Sequence, residues 1–196
     1  MSEAEGYSGP LVAGRECGTC QECCIAPAIN KPEVQKFPGS RCCNALQGGG
    51  CNIYETRPDP CRTFFCGWRR SPDFPDDWRP DRSGVMAILE INEQPQFQPL
   101  AAALNLVGNP LKTIRRPDFI DFIARNLRNN VAIYLMLSAG PGMQSARMLL
   151  NVPLLVQAAG KSRGEMKKAL EEALKILVAH PAQRYVMNYS GHDMST

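Results

Sequence analysis

Nine cysteines lie between Cys17 and Cys66, and the 130 residues that follow contain none. A cluster that dense limits the first third of the chain to chemistry that uses thiols. The N-terminus, Met-Ser-Glu-Ala-Glu-Gly-Tyr-Ser-Gly-Pro, has neither the basic start nor the apolar stretch of a secretory signal, so the expected compartment is the reducing cytoplasm. There a disulfide framework is disfavoured and clustered cysteines are expected to bind metal. The odd count also leaves one cysteine over.

The densest segment is Cys17-Gly-Thr-Cys20-Gln-Glu-Cys23-Cys24, where Cys17, Cys20 and Cys23 recur at every third position. A tight loop with this spacing can aim several sulfurs at one centre, and Gly18 supplies backbone freedom where amides must approach it. Further donors are available from Cys42, Cys43, Cys51, Cys61 and Cys66, in a stretch punctuated by glycine and proline. Such loops bury little apolar surface themselves, so a metal whose binding free energy is also folding free energy is expected to stabilise them. The run at spacing three is like the ferredoxin pattern and favours an iron-sulfur cluster, with four irons preferred. Zinc remains open, because irregular zinc knuckles also exist. His180 and His192 are distant in sequence and are expected to be surface or helix-end residues, which leaves an all-sulfur shell.

Several segments together resemble a known family. They are Cys17-x-x-Cys20-x-x-Cys23-Cys24, Cys43 with Leu46, Gly50-Cys51-x-Ile53-Tyr54-Glu55, Arg57-Pro58-x-x-Cys61-Arg62 and Phe65-Cys66. This pattern is similar to the bacterial CxxCxxCC cysteine-cluster proteins of the YkgJ type, described as zinc- or iron-chelating. The resemblance covers about residues 15 to 70 and implies Cys17, Cys20, Cys23, Cys24, Cys43, Cys51, Cys61 and Cys66 as metal ligands, with Cys42 left over. One branch looks like the longer flagellin lysine N-methylases, so a protein-modifying enzyme is implied as an alternative. Electron transfer, metal handling, protein maturation and a structural zinc module that docks a protein partner are the other expectations.

An all-thiolate site carries excess negative charge. Arg57, Arg62, Arg69 and Arg70 are expected to screen it, and Tyr54, Phe64, Phe65 and Trp68 to pack around it as a dry shell. A Pro- and Asp-rich connector then runs from Ser71 to Gly84. Strands are expected over Val85–Ile91, Gln98–Asn105 and Val131–Ser138, joined in an antiparallel sheet. Pro117 opens a helix whose apolar face is Phe119, Ile120, Phe122, Ile123 and Leu127. A capping box at Ser162 and Glu165 opens a second helix, with Met166, Ala169, Leu170, Ala173, Leu174 and Leu177 as its stripe and Glu171 and Lys175 as an outer pair. Residues 143 to 157 fit strand or helix, with Pro153 opposing a continuous helix. The resulting fold class is α+β, a metal-stabilised cysteine lobe packed on a small antiparallel sheet with helices. Its expected divisions are a loose tail at 1–12, a lobe and connector at 13–83, and an α+β region at 84–196.

Other chemistries do not assemble. Gly160-Lys161-Ser162 lacks the earlier glycine of a phosphate loop, since Leu155 stands there, and Gly48-Gly49-Gly50 opens no helix. No radical S-adenosylmethionine spacing, Ser/His/Asp set or thioredoxin-like setting is present. The net charge of +3 is mild and scattered, which argues against nucleic-acid binding. The longest apolar run, Val131–Leu137, is seven residues, too short to cross a membrane as a helix.

Overall fold

Proline placement and hydrophobic period set most element boundaries in this chain. The structure is a computed structural model that describes residues 7, 9–42 and 44–187. Its centre is a four-stranded sheet of β3 (Val85–Ile91), β4 (Leu100–Leu106), β5 (Ile133–Leu137) and β6 (Ala146–Leu149), in that order. Strands β3 and β4 pair antiparallel, with Val85 opposite Leu106, and β5 and β6 pair antiparallel, with Tyr134 opposite Leu149. Between them β4 and β5 run parallel, Ala102 facing Ile133.

That parallel pair corrects the expectation of an antiparallel sheet. The chain between β4 and β5 crosses over through two helices, α5 (Pro110–Ile114) and α6 (Pro117–Arg128), and a crossover of this length returns a strand in the same direction. A purely antiparallel pairing occurs in the small hairpin β1 (Ile29–Lys31) and β2 (Val34–Lys36). Strand β4 is buried over Ala101–Leu106, which explains a run of alanine and leucine instead of alternation.

Each of α5, α6 and α7 (Pro153–Ala159) begins on its proline, whose fixed φ and missing N–H suit a helix's first position. Pro153 therefore divides the ambiguous stretch into strand β6 and helix α7. The expected face of α6 is buried, Phe119, Ile120, Phe122, Ile123 and Leu127 included. So is the whole stripe of α8 (Arg163–Ala179). The Ser162 hydroxyl accepts the Glu165 N–H at 3.2 Å, capping α8. The outer pair is different from expectation. Glu171 accepts from Arg115 at 2.7 Å, and Lys175 donates to Glu172, because packing of α5 on α8 brings a guanidinium to Glu171.

The connector is part of the core. Phe74 and Trp78 are 2% and 1% exposed, and Trp78 stacks on Phe119 at 5.7 Å and meets Phe122 at 4.9 Å. Trp78 Nε1 donates to Asp118 at 2.6 Å. Short helices α3 (Gly67–Arg70) and α4 (Pro80–Ser83) rest on β3, so the cysteine-bearing loops sit directly on the sheet. Contact there is close enough that a Cβ on Gly67 would lie 3.0 Å from both Ala87 Cβ and Phe74. A continuous apolar cluster runs from Ala26 and Cys66 through this sheet to Leu177. No helix among the described residues is long and apolar enough to cross a membrane.

Candidate metal centre

The loop Cys17–Cys20 closes on itself through the Cys20 N–H to Cys17 C=O bond of 2.9 Å, with Gly18 at φ +53. It leads into α1 (Glu22–Ile25), which carries Cys23 and Cys24. Cys66 stands at the start of α3, delivered by the segment Phe64–Phe65. These pieces enclose a cavity of about 30 Å³ lined by Cys17, Cys20, Cys23 and Cys66, and walled by Phe64, Phe65, Trp68, Met86, Pro80 and Arg79. Four of the eight expected ligands, from three separate segments, thus face one space.

Burial acts in the same direction on three of these thiols, Cys20, Cys23 and Cys66. Burial raises the Cys20 thiol, while the backbone amides of Glu22 and Asp81 act to lower it. Burial pushes Cys66 up to about 11, with the amides of Arg69 and Trp68 opposing. Cys23 is raised by donating its proton to Cys24 and by burial. Cys20, Cys23 and Cys66 are thus held protonated, and any metal that took them as ligands would have to displace those protons. Backbone amides facing sulfur and an aromatic wall are features that stabilise a ligated thiolate.

A second group adjoins the first through Cys24, which accepts from Cys23. Cys24 is lowered to about 6 because it accepts the Cys23 proton; burial acts against this, and the cations Lys36, Arg57 and Arg41 assist it. The Cys42 N–H donates to the Cys24 carbonyl at 2.8 Å. Cys51 returns beside this segment through a bridge to Ala45, and Cys61 rides on α2 (Asp59–Thr63). The Cys61 thiol, raised by burial, has Cys42, Cys24 and Cys51 as its electrostatic neighbours. The family pattern left Cys42 aside, yet here it stands among the others. Cys43 and His192 lie outside the described residues. His180 is exposed at the end of α8, apart from both groups.

The expected screening set is partly displaced. Arg57 serves the second group, its guanidinium 3.7 Å above the Tyr54 ring. Arg62 pairs with Asp59 on the exposed side of α2, and Arg69 and Arg70 sit over Phe65 at 5.7 and 5.3 Å. Tyr54 is 49% exposed and does not wall the cavity, whereas Phe64, Phe65 and Trp68 do. Arg79 takes the screening role at the first group, fixed by a bidentate pair with Asp81 and held over Gly18.

Sequence reasoning missed Lys36. Its ammonium is buried and donates to the carbonyls of Ile25 at 2.8 Å, Ser40 at 3.0 Å, Phe37 at 3.3 Å and Pro27. Burial lowers its pKa, and the nearby Cys42, Cys24, Cys23 and Cys61 oppose that shift. Its place in a two-strand hairpin of polar residues gave no signal of this. Arg15 was missed as well. It is buried, donates to Trp68, Ser71 and Phe74 carbonyls at 2.5, 2.8 and 2.7 Å, and pins the cysteine loop to the connector.

Among the described residues, no three His, Cys, Asp or Glu side chains are drawn together tightly enough to hold a single ion as they stand. The first four cysteines surround a space instead of converging on a point. Comparison with protein-family models, with curated proteins and with solved structures finds no match, so the centre is characterised by its own geometry.

Proposed function

We propose that this chain is an iron-sulfur protein whose Cys17, Cys20, Cys23 and Cys66 hold one four-iron cluster. The observation that carries this is the shared cavity lined by those four sulfurs. A single zinc ion needs all four thiolates within about 2.3 Å of one point, whereas a cluster takes one thiolate at each iron and needs them spread. Phe64, Trp68 and Met86 of the walls belong to or pack against the apolar core, which holds the cavity open at a fixed spacing. The resemblance to the cysteine-cluster family, described as zinc- or iron-chelating, supports metal binding by these thiols. A cluster in this position supplies one-electron transfer; Arg79 and the amides of Glu22, Asp81, Trp68 and Arg69 offset its charge and tune its potential.

The test is anaerobic purification of the full chain with iron, sulfide and optical analysis. The expected protein is brown, absorbs at about 400 nm, bleaches with dithionite and contains about four irons and four sulfides per chain. Cys20→Ser and Cys66→Ser lose that absorbance. A colourless anaerobic preparation that carries zinc but no iron overturns the proposal.

A further inference from the structure

We infer that Phe65, with Arg69 and Arg70 over its ring, is the docking face for an acidic one-electron carrier protein of the ferredoxin class. The inference rests on the proposed function in one respect, that the cavity behind Phe65 holds a redox centre.

Phe65 differs from the other aromatics around that cavity. Trp68 belongs to the apolar core and Phe64 packs against it, whereas Phe65 does neither. It lines the cavity beside Cys17, Cys20, Cys23 and Cys66 and is only partly buried, so one side chain reaches from the cysteines to the surface.

Helix α3 brings two cations onto this ring, the Arg69 and Arg70 guanidiniums at 5.7 and 5.3 Å from its centre. Arg70 is fixed by donating to the carbonyls of Gly9 and of Thr63, the second at 3.0 Å. Carbonyl acceptors hold a cation in place without neutralising it. Arg69 has a buried Nε with no acceptor among the described residues, so its present position carries a cost that turning outward to a carboxylate relieves. Between Arg41 and Arg70 the chain places five arginines against Glu55 and Asp59, which makes this part of the surface complementary to an acidic partner. Aromatic and arginine side chains are also the residues that interface centres favour, and small polar contacts suffice for electron-transfer encounters.

In the docked pair one electron passes from the reduced carrier's iron to the oxidised cluster. The carrier is oxidised by one electron, the cluster is reduced by one, and no proton or covalent bond moves.

Binding and electron transfer are measured separately on the full chain, purified anaerobically with iron supplied. Surface plasmon resonance over an immobilised acidic plant-type ferredoxin gives affinity, and stopped-flow mixing with that ferredoxin, reduced and freed of dithionite, follows bleaching at about 400 nm. Affinity is expected to fall about tenfold or more between about 20 and 200 mM salt. Arg69→Gln and Arg70→Gln should each bind and bleach about tenfold more weakly and slowly, with wild-type iron content showing that they fold. If Arg70→Gln loses iron, Arg69→Gln alone decides. Lys112→Gln, on α5, is expected to bind as wild type does. Unchanged affinity in the arginine variants, an equal loss in Lys112→Gln, salt-independent binding, or equal binding of a basic cytochrome c overturns the inference. Iron-loaded wild type that does not bind the ferredoxin defeats this inference alone. A chain without iron that still binds it through Arg69 and Arg70 defeats the cluster assignment and keeps the docking face.

Discussion

Replacing Trp78 tests whether the segment after the cysteines is a linker or part of the core. The indole is 1% exposed, lies among Phe74, Phe119 and Phe122, and donates to Asp118 at 2.6 Å. Truncation to alanine removes those ring contacts and leaves a void, at about 3–5 kcal/mol. The lost hydrogen bond to a carboxylate adds about 1 kcal/mol and no more, because Asp118 keeps Arg116 and is 37% exposed, so water replaces the indole. The sum of about 4–6 kcal/mol approaches the whole stability of a domain this size, so Trp78→Ala is expected to be largely unfolded at 37 °C. Trp78→Phe keeps most of the packing and should cost about 2–3 kcal/mol.

The carboxylate adds a pH signature. Burial pushes Asp118 up, but the Arg116 guanidinium and the Trp78 N–H outweigh it and hold the carboxyl below its usual range. A depressed folded-state pKa contributes stability above the unfolded value of about 3.9, and that stability is lost as pH falls through the folded value. The gap between wild type and Trp78→Phe should therefore be constant from neutral pH to about pH 5 and narrow below about pH 4. Urea unfolding followed by far-ultraviolet circular dichroism, with metal content matched, measures both effects. A cost below about 1 kcal/mol for Trp78→Ala would show that the aromatic packing contributes nothing to the fold.

Two further substitutions probe the cysteine lobe. Lys36→Met keeps the aliphatic stem and strips four carbonyls of their donor; with partial rehydration and the returned desolvation of the ammonium, a loss of about 2–3 kcal/mol is expected in urea midpoints. An unchanged midpoint contradicts a structural role for the ammonium. Gly49→Val should destabilise by about 2 kcal/mol or more, because Gly49 has φ +101 and an added Cβ would lie 2.8 Å from Thr19. Wild-type thermal stability in that variant would show that the glycine loop does not dock between Cys17 and Cys20.

The helices are legible in the amino-acid sequence because their information is local. The stripe of α8 and the face of α6 follow from a 3.6-residue period, and Pro117 and Ser162 mark starts that depend on a few neighbouring residues. Strand β3 is legible for the same reason, but the pairing of β4 with β5 is not, since strand direction depends on how the crossover through α5 and α6 packs. The cysteine-rich lobe is plain from composition alone, and thiol chemistry requires little more.

How those cysteines divide is decided by tertiary structure. Spacing treats Cys23 and Cys24 as equivalent neighbours in one run, whereas in the fold Cys23 lines the cavity with Cys17, Cys20 and Cys66 and donates to Cys24, whose other neighbours are the cations Lys36, Arg57 and Arg41. Lys36 and Arg79 have no sequence signal, because their roles depend on carbonyls and sulfurs that only folding brings near them. Composition and period are properties of short stretches of chain, and so can be read from them. A site is a convergence of distant stretches, fixed by the sheet and the aromatic core beneath it.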